Sequence, residues 1–114
     1  MKKLEIDIFG STYTVMIGER EELDISYENV GECSVYEKTI KICTTVDDKA
    51  FSPSMKDKYM MEVIKHEISH AMLYESGLVD LGLEELLPNW LSVNVDKLVE
   101  CSSLVFREFD KKSN

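Results

Sequence analysis

Both histidines of this 114-residue chain lie in one short stretch, His66-Glu67-Ile68-Ser69-His70. Residues four apart project from the same side of an α-helix, so the two imidazoles can reach one ion. Zinc binds imidazole nitrogen, and a hydrolytic zinc site keeps one position open for a water molecule whose pKa falls to about 7. A carboxylate at Glu67 can take the proton of that water and pass it to a leaving amine. The stretch therefore predicts a Zn²⁺ site, with His66 and His70 as ligands and Glu67 as general base.

The residues around the motif predict one long amphipathic helix. Apolar side chains recur at i, i+3 and i+4, as helical packing requires, at Met60, Val63, Ile64, Ile68 and Ala71. Glu67 falls within this stripe and the histidines lie at its border. A helix face rich in His and Glu also occurs without any metal, but a carboxylate directed towards a core is costly unless it is paired or has a chemical role. The position of Glu67 thus favours the metal site.

Length and charge restrict the class of protein. A chain of 114 residues is long enough for one modest core, so we expect a single domain over residues 1–114. The 22 acidic and 13 basic residues give a net charge of −9. Nucleic-acid binding needs basic patches, which this balance disfavours. An acidic metallohydrolase and a protein-binding module both remain compatible with it.

Three features indicate a cytoplasmic protein without a membrane segment. Glu5 and Asp7 interrupt any apolar signal-peptide core after the N-terminal lysines. No apolar run is long enough to span a bilayer. The cysteines are odd in number, Cys33, Cys43 and Cys101, which argues for reduced thiols.

The first half of the chain, residues 1–45, predicts a small antiparallel sheet of three to five strands. Two hairpins are indicated by alternating apolar residues on either side of short polar turns. The expected strands are residues 4–8 and 13–17, a short edge strand at 23–27, and residues 31–36 and 40–43. A loop is expected over residues 44–51.

The second half predicts two helices, giving an α+β fold. Ser52 is a suitable N-cap and Pro53 suits the first helical position, so the motif helix is expected over residues 52–76, ending at Gly77. Residues 78–83 read as a connection. A long C-terminal helix is expected over residues 84–109, with an apolar face that continues to Phe109.

A catalytic zinc site needs a third protein ligand, and only carboxylates remain for it. The candidates downstream of the motif helix are Asp80, Glu84, Glu85, Asp96 and Glu100. Glu84 shares the inward face of Leu87 and Leu91 and is preferred, with Glu85 as its nearest rival about 100° around the helix. Glu100 ranks third because it lies on the solvated side. An acid at a helix N-terminus can instead serve the helix dipole, which is the alternative role for Glu84.

Three segments resemble the small phage and mobile-element zinc metallopeptidases of the ImmA/IrrE type, members of the zincin superfamily. The likeness covers about residues 31–105, and only the motif helix is highly specific. The segments are His66 to Leu78, Gly31-x-Cys33 with Ile40-Lys41-Ile42, and Glu84-Glu85-Leu86-Leu87 with Trp90-Leu91-Ser92. Pro88 and Asn89 depart from the pattern, since such relatives often carry a small residue and an acid there.

The resemblance implies a zincin-like fold in which an edge strand, expected at Ile40–Cys43, lies over the motif helix and holds an extended peptide by strand addition. It also implies a phage or prophage origin and an acidic third ligand on the next helix. The predicted function is therefore a zinc-dependent metallopeptidase that cleaves a protein or peptide substrate. The alternative is a catalytically weak or inactive zincin-fold module that acts through contacts with a host or phage protein.

Overall fold

The computed structural model describes residues 1–45 and 52–113, and within them the chain is an α+β protein. Four strands and four helices follow one another in the order β1 (Lys2–Ile8), β2 (Ser11–Gly18), α1 (Arg20–Leu23), β3 (Gly31–Ser34), β4 (Thr39–Cys43), α2 (Pro53–Glu75), α3 (Val79–Leu83) and α4 (Leu86–Ser113). Most of the predicted loop over residues 44–51 lies outside the described residues. No helix in the described ranges is both long enough and apolar enough to cross a membrane.

The sheet is mixed, so the prediction of a wholly antiparallel sheet is wrong. Its strand order is β1-β2-β4-β3, with antiparallel β1–β2 and β3–β4 pairs joined by a parallel β2–β4 pair. The two hairpins are those expected from the sequence. Parallel neighbours need a long crossover, and here the segment between β2 and β4 provides one. The edge strand of the second hairpin is consequently β3, and Ile40–Cys43 lies inside the sheet.

The connection after β2 contains no strand, which contradicts the predicted edge strand at residues 23–27. Arg20–Leu23 forms one helical turn instead, and Asp24 ends it in the left-handed conformation with φ of 53°. Leu23 and Ile25 are nevertheless buried with Cys43 in a small secondary core. The alternation of these apolar residues arises because a loop buries them. In a segment of five residues, such alternation cannot be told apart from that of a strand.

Helix α2 packs on one face of the sheet and forms the main core with it. The buried side chains come from both layers: Ile8, Tyr13, Val15, Ile40, Ile42 and Ala71. The predicted stripe of α2 is confirmed, because its remaining members pack against that cluster: Met60, Val63, Ile64 and Ile68. This packing directs the face that bears Glu67 and His70 towards β3 and α3.

The ends of α2 agree with their sequence signals. The hydroxyl of Ser52 accepts a hydrogen bond from the Met55 amide at 3.3 Å, and Pro53 is the first helical residue. Gly77 adopts a φ of +93°, a left-handed conformation that favours glycine after a helix. The predicted connection after it forms the short helix α3, and α4 begins at Leu86 rather than at Glu84.

Helix α4 has two halves with different surroundings. Leu87, Leu91 and Val95 are partly buried and Ser92 is buried, while every described side chain from Asp96 to Lys111 is exposed. An ion pair of 2.5 Å between Lys65 and Asp96 marks the end of the packed half. The apolar periodicity predicted the helix correctly, but the apolar side chains of its second half are exposed.

Glu75 joins the last turn of α2 to both hairpin turns. Its carboxylate accepts hydrogen bonds from the hydroxyls of Ser11 at 2.6 Å and Tyr13 at 2.8 Å, and it forms an ion pair with Lys38. The Lys38 ammonium and these hydrogen bonds lower the pKa of Glu75 to about 2. Burial and the same carboxylate raise the pKa of Tyr13.

Replacing Glu75 should remove part of the acid dependence of stability. The pKa of about 2 in the folded protein lies below the value of about 4.3 for an unfolded glutamate, so this stabilisation is complete above that higher value and is lost as the pH falls towards 2. Urea unfolding of Glu75→Gln should show reduced stability at neutral pH and a difference from wild type that narrows below pH 4. The exposed Glu37→Gln variant serves as control; equal acid profiles for all three proteins would contradict the assignment.

Candidate metal centre

Three potential metal ligands converge between α2 and the two-residue link that joins α3 to α4. The Nε2 atoms of His66 and His70 are 3.1 Å apart. Glu85, in the link, places one carboxylate oxygen 2.8 Å from His66 Nε2 and the other 3.3 Å from His70 Nε2. These residues are the candidate metal cluster found among residues 1–45 and 52–113.

The distances suit a small divalent cation. Ligands bound tetrahedrally to zinc at 2.0–2.1 Å lie about 3.3 Å from one another, close to the separations of 2.8, 3.1 and 3.3 Å found here. His70 donates its Nδ1–H to the carbonyl of Gly82 at 2.7 Å, which leaves a lone pair on Nε2. Three close contacts join His66 Nε2, His70 Nε2 and the Glu85 carboxylate, and a single proton on His66 Nε2 could form a hydrogen bond in only one of them. Two imidazoles and a carboxylate therefore fit a divalent cation.

The carbonyl that orients His70 depends on a glycine. A Cβ at Gly82 would lie 2.7 Å from the Tyr74 backbone nitrogen and 3.0 Å from the His70 carbonyl oxygen. Backbone atoms cannot move aside as a flexible side chain can, so only glycine lets α3 lie this close to α2. The contact fixes the tautomer of His70 and also positions the link that carries Glu85.

The Gly82→Ala variant should bind metal more weakly although it removes no ligand. The added methyl group would push α3 away from α2 and lengthen the hydrogen bond to His70 Nδ1, and losing such an orienting contact typically costs 10- to 100-fold in metal affinity. Competition with a chromogenic zinc chelator would measure the change. Gly77→Ala, at a glycine with open space around it, controls for loss of helix-end flexibility; the prediction fails if the two variants bind zinc equally.

The structure brings Glu85, and not Glu84, to the histidines. The Glu84 carboxylate accepts hydrogen bonds from the amides of Leu86 at 2.5 Å and Leu87 at 3.0 Å, so it caps the start of α4. This is the helix-terminus role that the sequence offered as the alternative. Because α4 begins two residues later than expected, the geometry that favoured Glu84 does not apply.

The other carboxylate candidates are also elsewhere. Asp96 pairs with Lys65, while Asp80 and Glu100 are exposed and take no part in the cluster. Asn89, at the position where the resemblance suggested an acid, lines a cavity beside His66.

Two neighbouring glutamates provide a matched test of the third ligand. Glu85→Gln should lower zinc affinity by a hundredfold or more, since an amide oxygen is a poorer ligand than a carboxylate for this cation. Glu84→Gln should retain zinc and instead destabilise the fold by about 1 kcal/mol through its cap. Zinc content after dialysis and thermal unfolding together separate the two effects. The reverse pattern would restore Glu84 as the ligand.

Glu67 lies beside the cluster with a free carboxylate. Its side chain is 7% exposed, and its oxygens keep contact with solvent, since in the part of the chain that the structure describes they form no hydrogen bond and yet no buried oxygen there lacks a partner. Burial raises the pKa of Glu67 to about 7, with a further increase from the negative charges of Glu85 and Glu32 and an opposing effect of His70. A carboxyl group of this kind can both take and return a proton near neutral pH.

Edge strand β3 closes the other side of the site. A Cβ at Gly31 would lie 2.9 Å from Glu67 Cγ and 2.9 Å from Val63 Cγ1, so the glycine lets the strand run directly against the helix. A cavity of about 570 Å³ lies between β3, the motif histidines and Glu85. Cys33 borders it, and burial together with the Glu67 charge raises the pKa of this thiol to about 12.

Sequence reasoning did not find the structural roles of Gly31 and Gly82. Gly31 begins a predicted strand and belongs to the resemblance, and Gly82 lies in the segment that is interpreted as a connection. A glycine within short apolar segments is the one signal that marked them, because close backbone approach is a common reason for it.

Comparison of the chain with protein-family models, with curated proteins and with solved structures gave no match. The resemblance to the ImmA/IrrE type thus rests on the sequence segments that carry it.

Proposed function

We propose that this protein is a zinc-dependent metallopeptidase that hydrolyses peptide bonds in a protein or peptide substrate. The observation that carries the proposal is the convergence of His66, His70 and Glu85 on one point, next to a largely buried Glu67 whose carboxylate forms no hydrogen bond with the described residues. Each chemical role in metal-assisted hydrolysis has one residue to fill it. An exposed ion-pair cluster would not need the general base in that position.

The shape of the cleft supports a peptide as the substrate. Strand β3 is at the edge of the sheet, since its one strand neighbour among the described residues is β4. Its residues line the same cavity as His66, Glu67 and His70. An extended peptide can add to the free edge of β3 through main-chain hydrogen bonds, which would carry its carbonyl groups across the ligands. The strand that offers this edge is β3 and not Ile40–Cys43.

The reaction assigns one task to each side chain. A divalent cation held by His66, His70 and Glu85 would supply Lewis acidity to the substrate carbonyl and lower the pKa of water. Glu67 removes a proton from the attacking water molecule while the oxygen of that water forms a bond to the carbonyl carbon. When the carbon–nitrogen bond breaks, Glu67 gives that proton to the leaving amine. The Gly82 carbonyl keeps His70 in the tautomer that can act as a ligand.

Glu67→Gln should retain the metal and lose hydrolysis. Glutamine has the same shape but cannot accept the proton, so kcat/KM should fall about 10²- to 10⁴-fold. The measurement uses zinc-loaded protein and a library of quenched fluorescent peptides, with zinc content determined on the same samples. Glu62→Gln, on the same helix one turn before the motif, is the matched control and should remain active.

Two outcomes would contradict the proposal. Hydrolysis that is unchanged in Glu67→Gln would remove the assigned base. Wild-type protein that holds zinc and cleaves no member of the library would instead favour the binding module on the same scaffold. Chelator treatment adds a check, because activity that survives complete removal of the metal cannot come from this centre.

A further inference from the structure

The second half of α4 carries an apolar stripe that is exposed to solvent. Five large side chains on it are between 58% and 70% exposed: Leu98, Val99, Val105, Phe106 and Phe109. Single exposed apolar residues are ordinary, whereas a contiguous stripe marks an interaction surface.

The stripe is continuous with a groove on the body of the protein. Leu91, Val95, Leu98, Ser102, Val105 and Phe109 follow one another at alternating spacings of four and three residues, which is the spacing of a coiled-coil seam. Leu91 and Val95 line an apolar cavity of about 340 Å³ between α2 and α4. Phe9 and Met72 also border this groove and are 63% and 44% exposed. The first half of α4 therefore borders an apolar groove, and its second half bears an apolar stripe that could fill such a groove.

We propose that two copies of this chain form an antiparallel dimer in which the stripe of each α4 lies in the α2–α4 groove of the other. A twofold axis beside residue 100 sets Phe109 opposite Leu91, Val105 opposite Val95, and Ser102 opposite Leu98. In each of these three pairs, an apolar residue meets an apolar or small one. The contact is isologous, so it closes at two copies and leaves no stripe unpaired.

The area fits a stable dimer. Each of the five stripe residues, together with Phe9 and Met72, presents on the order of 100 Å² to solvent, giving roughly 700 Å² per copy, close to the contribution of about 800 Å² that one partner makes to a standard-size interface. The hydrophobic effect favours burial of an apolar surface of this size, and association of two copies would bury it.

Charge also favours a second copy over a lipid surface. Between residues 96 and 111 the helix has three basic residues, Lys97, Arg107 and Lys111, and four acidic ones, Asp96, Glu100, Glu108 and Asp110. Their sum of −1, on a chain of net charge −9, lacks the basic face of helices that bind anionic membranes. Glu100, which the axis brings nearest to its counterpart, lies on the side of α4 away from the seam.

The dimer is independent of the proposed peptidase activity. The groove uses the side of α2 that bears Lys65, Ser69 and Met72, whereas the metal ligands and Glu67 line cavities on another side. Disruption of the dimer should therefore leave zinc content unchanged.

Analytical ultracentrifugation of zinc-loaded protein over a range of concentrations tests the proposal. Wild type should sediment as a dimer, and Val105→Asp should weaken association about 30-fold or more, the effect expected for a buried hot-spot residue. Arg107→Asp, on the polar side of the same turn, is the matched control and should remain dimeric. Circular dichroism and zinc content should be unaltered in both, which excludes misfolding as the cause.

Cross-linking tests the antiparallel alignment. The axis beside residue 100 places the two exposed Cys101 residues about 3 Å apart along the helix direction. A short bismaleimide should join them, and Cys101→Ser should abolish the product without changing sedimentation. A monomer at every concentration, a dimer that tolerates Val105→Asp, or flotation of the protein with phosphatidylcholine–phosphatidylglycerol vesicles in place of dimerisation would each overturn the proposal.

Discussion

The packing of α2 on the sheet is the constraint on which the rest of this structure depends. Ala71 is completely buried, and Glu67 and His70, within one turn of it, are 7% and 8% exposed. One helix face thus contributes to the core and bears the polar groups of the candidate centre. Polar groups in such a place need partners, and α3, the link after it and β3 surround them. The ligand geometry is therefore a result of the same burial that stabilises the fold.

The sequence predicted what depends on local chemistry. The bounds of α2 follow from the Ser52 hydroxyl, the fixed φ of Pro53 and the left-handed backbone of Gly77. The histidines at i and i+4 share a face on any regular helix. The two hairpins likewise follow from alternation on either side of a turn. These features needed no knowledge of distant contacts.

What the sequence could not predict depends on where segments meet. The two hairpins could join through β3 or through β4. In the structure β2 pairs in parallel with β4, so β3 forms the edge of the sheet. The third ligand turned on a shift of two residues in the start of α4, which gave Glu84 to the cap and Glu85 to the histidines. Glu84 and Glu85 fit the apolar pattern of the sequence almost equally well. Their side chains point in different directions once the first residue of α4 is known.

Because of the location of Glu85, an ion bound at this centre would also cross-link α2 to the start of α4. His66 and His70 are on a well-packed helix, whereas the Glu85 side chain is 67% exposed and stands at the junction that sets the direction of α4. A bound cation would close a loop from α2 to that junction and restrict its motion, as cross-links do. Because water can reach this ligand, it is the one that would detach first during exchange. The angle of the C-terminal helix would then respond to whether the ion is bound.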